Sequence, residues 1–195
     1  RDGKSQAYLL SLSGGEAKPI TEIEKGISNL LWSPTGKFLS FTSDVKEDRT
    51  IKEKYDDLDK VDALVYDNLP VRHWDEWNDE YYRHLFILNI ENNEIKDLMK
   101  GEREQISWSP DGSEIVYTCK KVNNFESNTN SEIYMVPVFG GADRNITKGT
   151  TQYPLNGFDK EAKYSPNGSY IAFKSQKRPG FESDRIRLML YAKRT

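Results

Sequence analysis

Apolar and aromatic residues along this chain fall in short runs, punctuated by Gly, Pro, Asn and Ser, and one such pattern recurs. Trp32-Ser33-Pro34-Thr35-Gly36 leads into Lys37-Phe38-Leu39-Ser40-Phe41, and Trp108-Ser109-Pro110-Asp111-Gly112 leads into Ser113-Glu114-Ile115-Val116-Tyr117. The third copy is Tyr164-Ser165-Pro166-Asn167-Gly168, followed by Ser169-Tyr170-Ile171-Ala172-Phe173. In each, an aromatic ends one strand, Pro sets φ for the first turn position, and Gly supplies the positive φ that the turn needs. A β-branched or aromatic run then opens the next strand. This is a β-hairpin written three times.

A second phrase alternates with the first. Ala7–Leu12 turns at Ser13-Gly14-Gly15 towards Lys18–Thr21, and His84–Ile90 turns at Glu91-Asn92-Asn93 into Glu94–Met99. Glu132–Val138 turns at Gly140-Gly141 into Asp143–Thr147. Each is a pair of short apolar runs joined by residues that tolerate positive φ, which again predicts a hairpin. Two alternating hairpins make a four-stranded antiparallel unit, the size of one β-propeller blade. The expected fold is therefore all-β: a partial β-propeller of about three to four four-stranded antiparallel blades, with one partly helical insertion. Its parts are a half blade at 7–24, a blade at 27–101 carrying an insertion at 45–82, a blade at 103–149 and an incomplete blade at 157–195. A closed propeller needs about four to eight blades, so this is an arc.

The insertion departs from the repeat. Ile51, Tyr55, Leu58 and Val65, with Val61 or Asp62 between, approximate a helical period on a charged background, which predicts an amphipathic helix near Thr50–Val61. Leu69-Pro70 stops any helix. Val71–Trp77 follows as an extended run, with a turn at Asn78-Asp79. As one strand it would place Arg72, Trp74 and Glu76 on one face and His73, Asp75 and Trp77 on the other.

Composition narrows the function. A net charge of −3 gives no basic footprint for nucleic acid, and no apolar stretch reaches the span of a bilayer. Cys119 stands alone, which excludes a disulfide framework and a Cys-based zinc site. With Arg1 in first place and no leader-like segment, the expectation is a piece of a longer chain. There is no nucleophile elbow, P-loop or dinucleotide fingerprint, so no catalytic residue, metal site or cofactor is assigned. His73 and His84 could approach across a hairpin, but two His without further ligands make a poor metal site, and both are expected to be structural. The candidate binding site is Arg72, Trp74, Asp75 and Glu76. Either the tryptophans anchor the insertion while the carboxylates pair with Arg72 or Arg83, or an aromatic wall with two carboxylates captures a cation such as a peptide α-ammonium.

At these residues the chain resembles the propeller of the prolyl oligopeptidase family of serine peptidases, in its dipeptidyl-peptidase V and acylaminoacyl-peptidase branch. The Trp-Ser-Pro-x-Gly repeats are shared with TolB-like propellers. More specific is the insertion, where Lys54–Lys60 leads through Tyr66-Asp67-Asn68-Leu69 to Arg72–Trp77 and His84-Leu85-Phe86. The resemblance implies a non-catalytic propeller that gates and orients short peptides for a C-terminal α/β-hydrolase domain absent from this chain, in a periplasmic or secreted bacterial exopeptidase. It also implies, by analogy of position, that Asp75 and Glu76 hold the substrate amine. The alternative is a TolB-like interaction module without enzymatic activity. A third reading is a carbohydrate- or small-ligand-binding propeller. Alone, the arc is expected to be inactive and to associate edge to edge through Ala7–Leu12 and Arg185–Tyr191.

Overall fold

The computed structural model describes residues 3–55, 57–58, 60–61, 63–66, 72–73, 76–77, 80–99, 104–121, 129–148 and 157–193. The chain is an all-β partial propeller. Strands β1 (Tyr8–Leu9) and β2 (Lys18–Pro19) form a two-stranded ladder. The first full sheet follows, from β3 (Ser28–Trp32) and β4 (Phe38–Lys46), with helix α1 (Ile51–Lys54) and the short strands β5 (Arg72–His73) and β6 (Glu76–Trp77) intervening before β7 (Tyr81–Asn89) and β8 (Ile95–Met99). Its order is β3-β4-β7-β8. The middle sheet runs in sequence order through β9 (Glu104–Trp108), β10 (Glu114–Cys119), β11 (Glu132–Pro137) and β12 (Arg144–Asn145). The last contains β13 (Asp159–Tyr164), β14 (Tyr170–Ser175) and β15 (Arg187–Ala192).

The three Ser-Pro-x-Gly turns are built alike. Gly36, Gly112 and Gly168 have φ of 70°, 70° and 72°, which a side chain would strain. Each glycine N–H donates to the carbonyl of the turn serine, at 3.0, 2.9 and 2.9 Å. Each serine hydroxyl accepts the N–H of the residue opening the next strand, Phe38, Glu114 or Tyr170, at 3.0, 2.9 and 3.0 Å. The recurring serine therefore closes the hairpin with its side chain as well as its backbone.

Sheets stack face to face, and the core lies between them. Ile20, Ile23 and Ile27 cover Leu39, Phe41 and Leu88 of the first sheet. The opposite face of that sheet supplies Leu85 and Ile87 to a cluster with Ile106, Trp108, Ile115 and Tyr117 of the middle sheet. Trp108 Nε1 crosses this junction to donate to Ser40 Oγ at 2.9 Å. Val116, Ile133 and Met135 then meet Ala162, Ile171 and Phe173 of the last sheet. Alternation along the central strands of the first and middle sheets thus feeds two cores at once, as a sheet buried on both faces requires.

Two expectations for the insertion need correction. The helix is a single turn, not the three turns expected over Thr50–Val61. Thr50 caps it in a capping box with Glu53, and Tyr55 leaves the helix at φ −134°, ψ 105°. No residue of the turn is buried, so extension would gain no packing, and the run of aspartates beyond favours turns. The chain continues in tight turns, Leu58 N–H to Tyr55 O and Val61 N–H to Leu58 O, each 3.1 Å. Nor is Val71–Trp77 one extended strand. Arg72 pairs with Trp77 and His73 with Glu76, antiparallel, so the chain reverses between His73 and Glu76. A lone strand away from any sheet leaves its backbone groups unpaired, whereas a local reversal pairs them at once.

Candidate functional site

The insertion leaves the first sheet where the β4–β7 ladder ends, at the pair Lys46 and Tyr81. Lys46 Nζ holds the Glu53 carboxylate at 2.6 Å, tying α1 to the end of β4, and this ammonium is the main cause that draws the Glu53 carboxyl down to about 2. Tyr82 donates its hydroxyl to Asp48 Oδ2 at 2.9 Å. Of the four residues proposed from sequence, Arg72 stands in β5 opposite Trp77 and Glu76 in β6 opposite His73; Trp74 and Asp75 lie outside the described residues. Trp77 stacks on Tyr66 with ring centroids 6.4 Å apart, which fastens β6 to the segment before it.

At the base of the insertion lies His84, expected from sequence to be structural, with carboxylate partners that the sequence did not single out. His84 is 1% exposed. Its Nδ1 meets Asp97 Oδ2 at 2.8 Å, and its Nε2 faces Glu47 Oε1 at 3.3 Å. Ser43 is its cross-strand neighbour. A serine, a histidine and an aspartate therefore lie together, but they are not wired for nucleophilic catalysis. The Ser43 hydroxyl donates to the Gly26 carbonyl at 2.7 Å, and the imidazole is hydrogen-bonded to the Asp97 carboxylate through Nδ1, with Nε2 lying 3.3 Å from Glu47 without a hydrogen bond. The arrangement clamps β7 to β8 and to the base of the insertion. The Asn92-Asn93 turn held the signal, since a hairpin there must bring Asp97 back towards His84. Among the described residues, no group of three or more His, Cys, Asp or Glu is placed to hold a metal ion.

A row of polar residues on the leading strands is the second feature that sequence reasoning missed. Asn29, Gln105 and Glu161 occupy the same place in the repeat, three residues before Trp32, Trp108 and Tyr164. Each adopts positive φ, at 53°, 56° and 56°, and each sits where its strand's pairing with the next shifts register. These are β-bulges, and a side chain at positive φ costs about 1–2 kcal/mol. The side chains recover part of that cost in matching ways. Asn29 Nδ2 donates to Thr42 Oγ1 at 3.0 Å, Gln105 Oε1 accepts from Thr118 Oγ1 at 3.2 Å, and Glu161 pairs with Lys174. Gln105 Oε1 also accepts the Glu161 N–H at 2.6 Å, linking the middle and last sheets along this row. The visible sign was a polar residue three places before each aromatic.

Comparison with known proteins gives the arc its relatives. The chain is 34% identical over 205 residues to dipeptidyl-peptidase 5 of Porphyromonas endodontalis, covering 97% of this chain and 29% of that protein. It is 38% identical over 181 residues to dipeptidyl-peptidase 5 of Porphyromonas gingivalis, covering 85% of this chain and 26% of the relative. Acylaminoacyl peptidase of Pyrococcus horikoshii shares the fold, with a TM-score of 0.68 at 13% identity over 95% of this chain and 27% of that one. No family model matches the sequence. The chain spans less than a third of the length of these curated relatives. The chain forms a β-propeller portion and belongs to the prolyl oligopeptidase family, in the branch of the dipeptidyl-peptidase 5 proteins.

Proposed function

We propose that this arc gates and orients short peptides for an α/β-hydrolase domain of the same peptidase, and that the chain itself performs no hydrolysis. The observation that carries the reading is the similarity to dipeptidyl-peptidase 5 over nearly the whole chain, insertion included. In this reading the β5–β6 hairpin is the substrate-facing element. Asp75 and Glu76 take the peptide α-ammonium in charge-assisted hydrogen bonds, Trp74 forms the apolar wall, and Arg72 orients the carboxylates. The stack of Trp77 on Tyr66 supports it by giving the hairpin a fixed base.

A hydrogen bond to a charged group contributes about 1.5–3 kcal/mol. Asp75→Asn or Glu76→Gln in the complete peptidase is therefore expected to lower kcat/KM by about ten- to a hundredfold on substrates with a free amine. Acylated substrates should be unaffected and thermal stability unchanged. Equal losses on both substrate types would reject amine capture.

A further inference from the structure

Where the middle and last sheets meet, a carboxyl group is buried with no cation paired to it among the described residues. Asp159 opens β13 and is 1% exposed. Its N–H donates to the Ser131 carbonyl at 3.0 Å, and its own carbonyl accepts the Ser131 hydroxyl at 2.7 Å. Ser131 and Phe158 form a parallel bridge at the same point, so backbone crosses between two sheets that otherwise meet through side chains. The Asp159 carboxyl takes hydrogen bonds from Ser175 of its own sheet and Thr147 beyond β12, and its Oδ2 has no partner. The charged group acting on it from β11 is Glu132, which is of like sign. Glu132 is itself occupied by the Tyr134 hydroxyl at 2.9 Å and Asn145 Nδ2 at 2.5 Å.

We propose that Asp159 is a proton-operated catch on the junction between the middle and last sheets, holding it closed when neutral and loosening it at the Ser131–Phe158 bridge when ionised. A neutral carboxyl keeps an acceptor for the two hydroxyls and carries no charge to be desolvated, so it suits a site that offers no positive charge. An ionised carboxyl there is desolvated, faces Glu132 and leaves Oδ2 bare. Burial, the dominant cause, pushes the Asp159 carboxyl up to about 6. The folded value lies above the unfolded one, so the stabilising protonation is complete below the ordinary Asp range, about 3.9, and is lost as pH rises through 6. The catch is released in the range from mildly acidic to neutral.

Hydrogen exchange of the 195-residue chain between pH 5 and 8, corrected for the intrinsic rate, tests this. Protection of 130–133 and 158–160 is expected to fall by about tenfold, because the preference for the closed junction changes by a factor of about ten for every pH unit between the ordinary Asp value, about 3.9, and the folded value, and about one such unit lies above pH 5. The other two junctions should follow only the global trend. Asp159→Asn, which is neutral at every pH, should remove that dependence and hold the segments at the acidic level of protection. Glu132→Gln should move the transition to lower pH and provides the check if the Asn variant does not fold. A flat wild-type profile, or one that Asp159→Asn leaves intact, overturns the proposal.

Discussion

The two sides of the repeat teach most when the first junction is set against the outer face of the last sheet. Spacing in the repeat and strand register make Leu85 and Ile87, Ile133 and Met135, and Leu188 and Leu190 equivalent pairs. The first four side chains are at most 5% exposed, whereas Leu188 and Leu190 are 76% and 67% exposed. All six are apolar and occupy the same strand position. What differs is whether a further sheet lies against them. Alternation writes an apolar face into every blade, and only a neighbouring sheet turns that face into core.

Matched truncations should break the comparison most sharply. Leu85→Ala removes a side chain packed with Ile106 and Trp108 and is expected to cost about 3–4 kcal/mol, as buried Leu to Ala changes do. Leu188→Ala should stay within about 0.5 kcal/mol, since it is a surface change. Chemical denaturation of both variants measures the gap, and similar losses would mean that the outer face is covered in solution. Next in size is association. Leu188→Lys with Leu190→Lys removes the apolar face, while the free edge of β15 remains. Light scattering of wild type should show concentration-dependent oligomers; persistence in the double variant assigns them to strand edges, and loss assigns them to the face. A monodisperse wild-type monomer at high concentration removes both.

The smallest effect concerns the turns. A Cβ on Gly112 would meet Thr35 Cγ2 at 2.9 Å, whereas one on Gly36 would meet nothing within 4 Å. Both share φ of 70°. Gly36→Ala should therefore report the conformational cost alone, about 1 kcal/mol, and Gly112→Ala that cost plus the displacement of Thr35. Equal melting shifts for the two would show that the first and second turns do not press together.

The sequence made the hairpins legible because their chemistry is local. Ser, Pro and Gly act within a few residues of one another, and the aromatic before them marks the strand end. It concealed the bulges because Gln105 and Glu161 are poor choices for positive φ by local rules. They are held there by Thr118 and Lys174, each thirteen residues later, and across the junction by one another. The helix failed for the converse reason. A helical period at Ile51, Tyr55 and Leu58 was real, but none of the described residues of that face is fully buried, and periodicity without burial does not sustain a helix. In the candidate site, the sequence marked the insertion but missed the reversal between His73 and Glu76, because one long strand and one tight hairpin differ only in which backbone partners are available.

The lengths of β4 and β7 acquire a further meaning from polymer entropy. Closing a loop of about thirty residues instead of about four is three doublings, and each doubling costs only about 0.6 kcal/mol. The penalty for carrying the insertion between these strands is thus about 2 kcal/mol, within reach of one buried aliphatic side chain. Here β4 and β7 are nine residues each, while the corresponding strands of the middle sheet, β10 and β11, are six. The longer ladder lies directly at the mouth of the loop it must close. A blade can therefore accept a large excursion at its rim with almost no change in its own cohesion, provided the two strands that frame the excursion run a little further before they part.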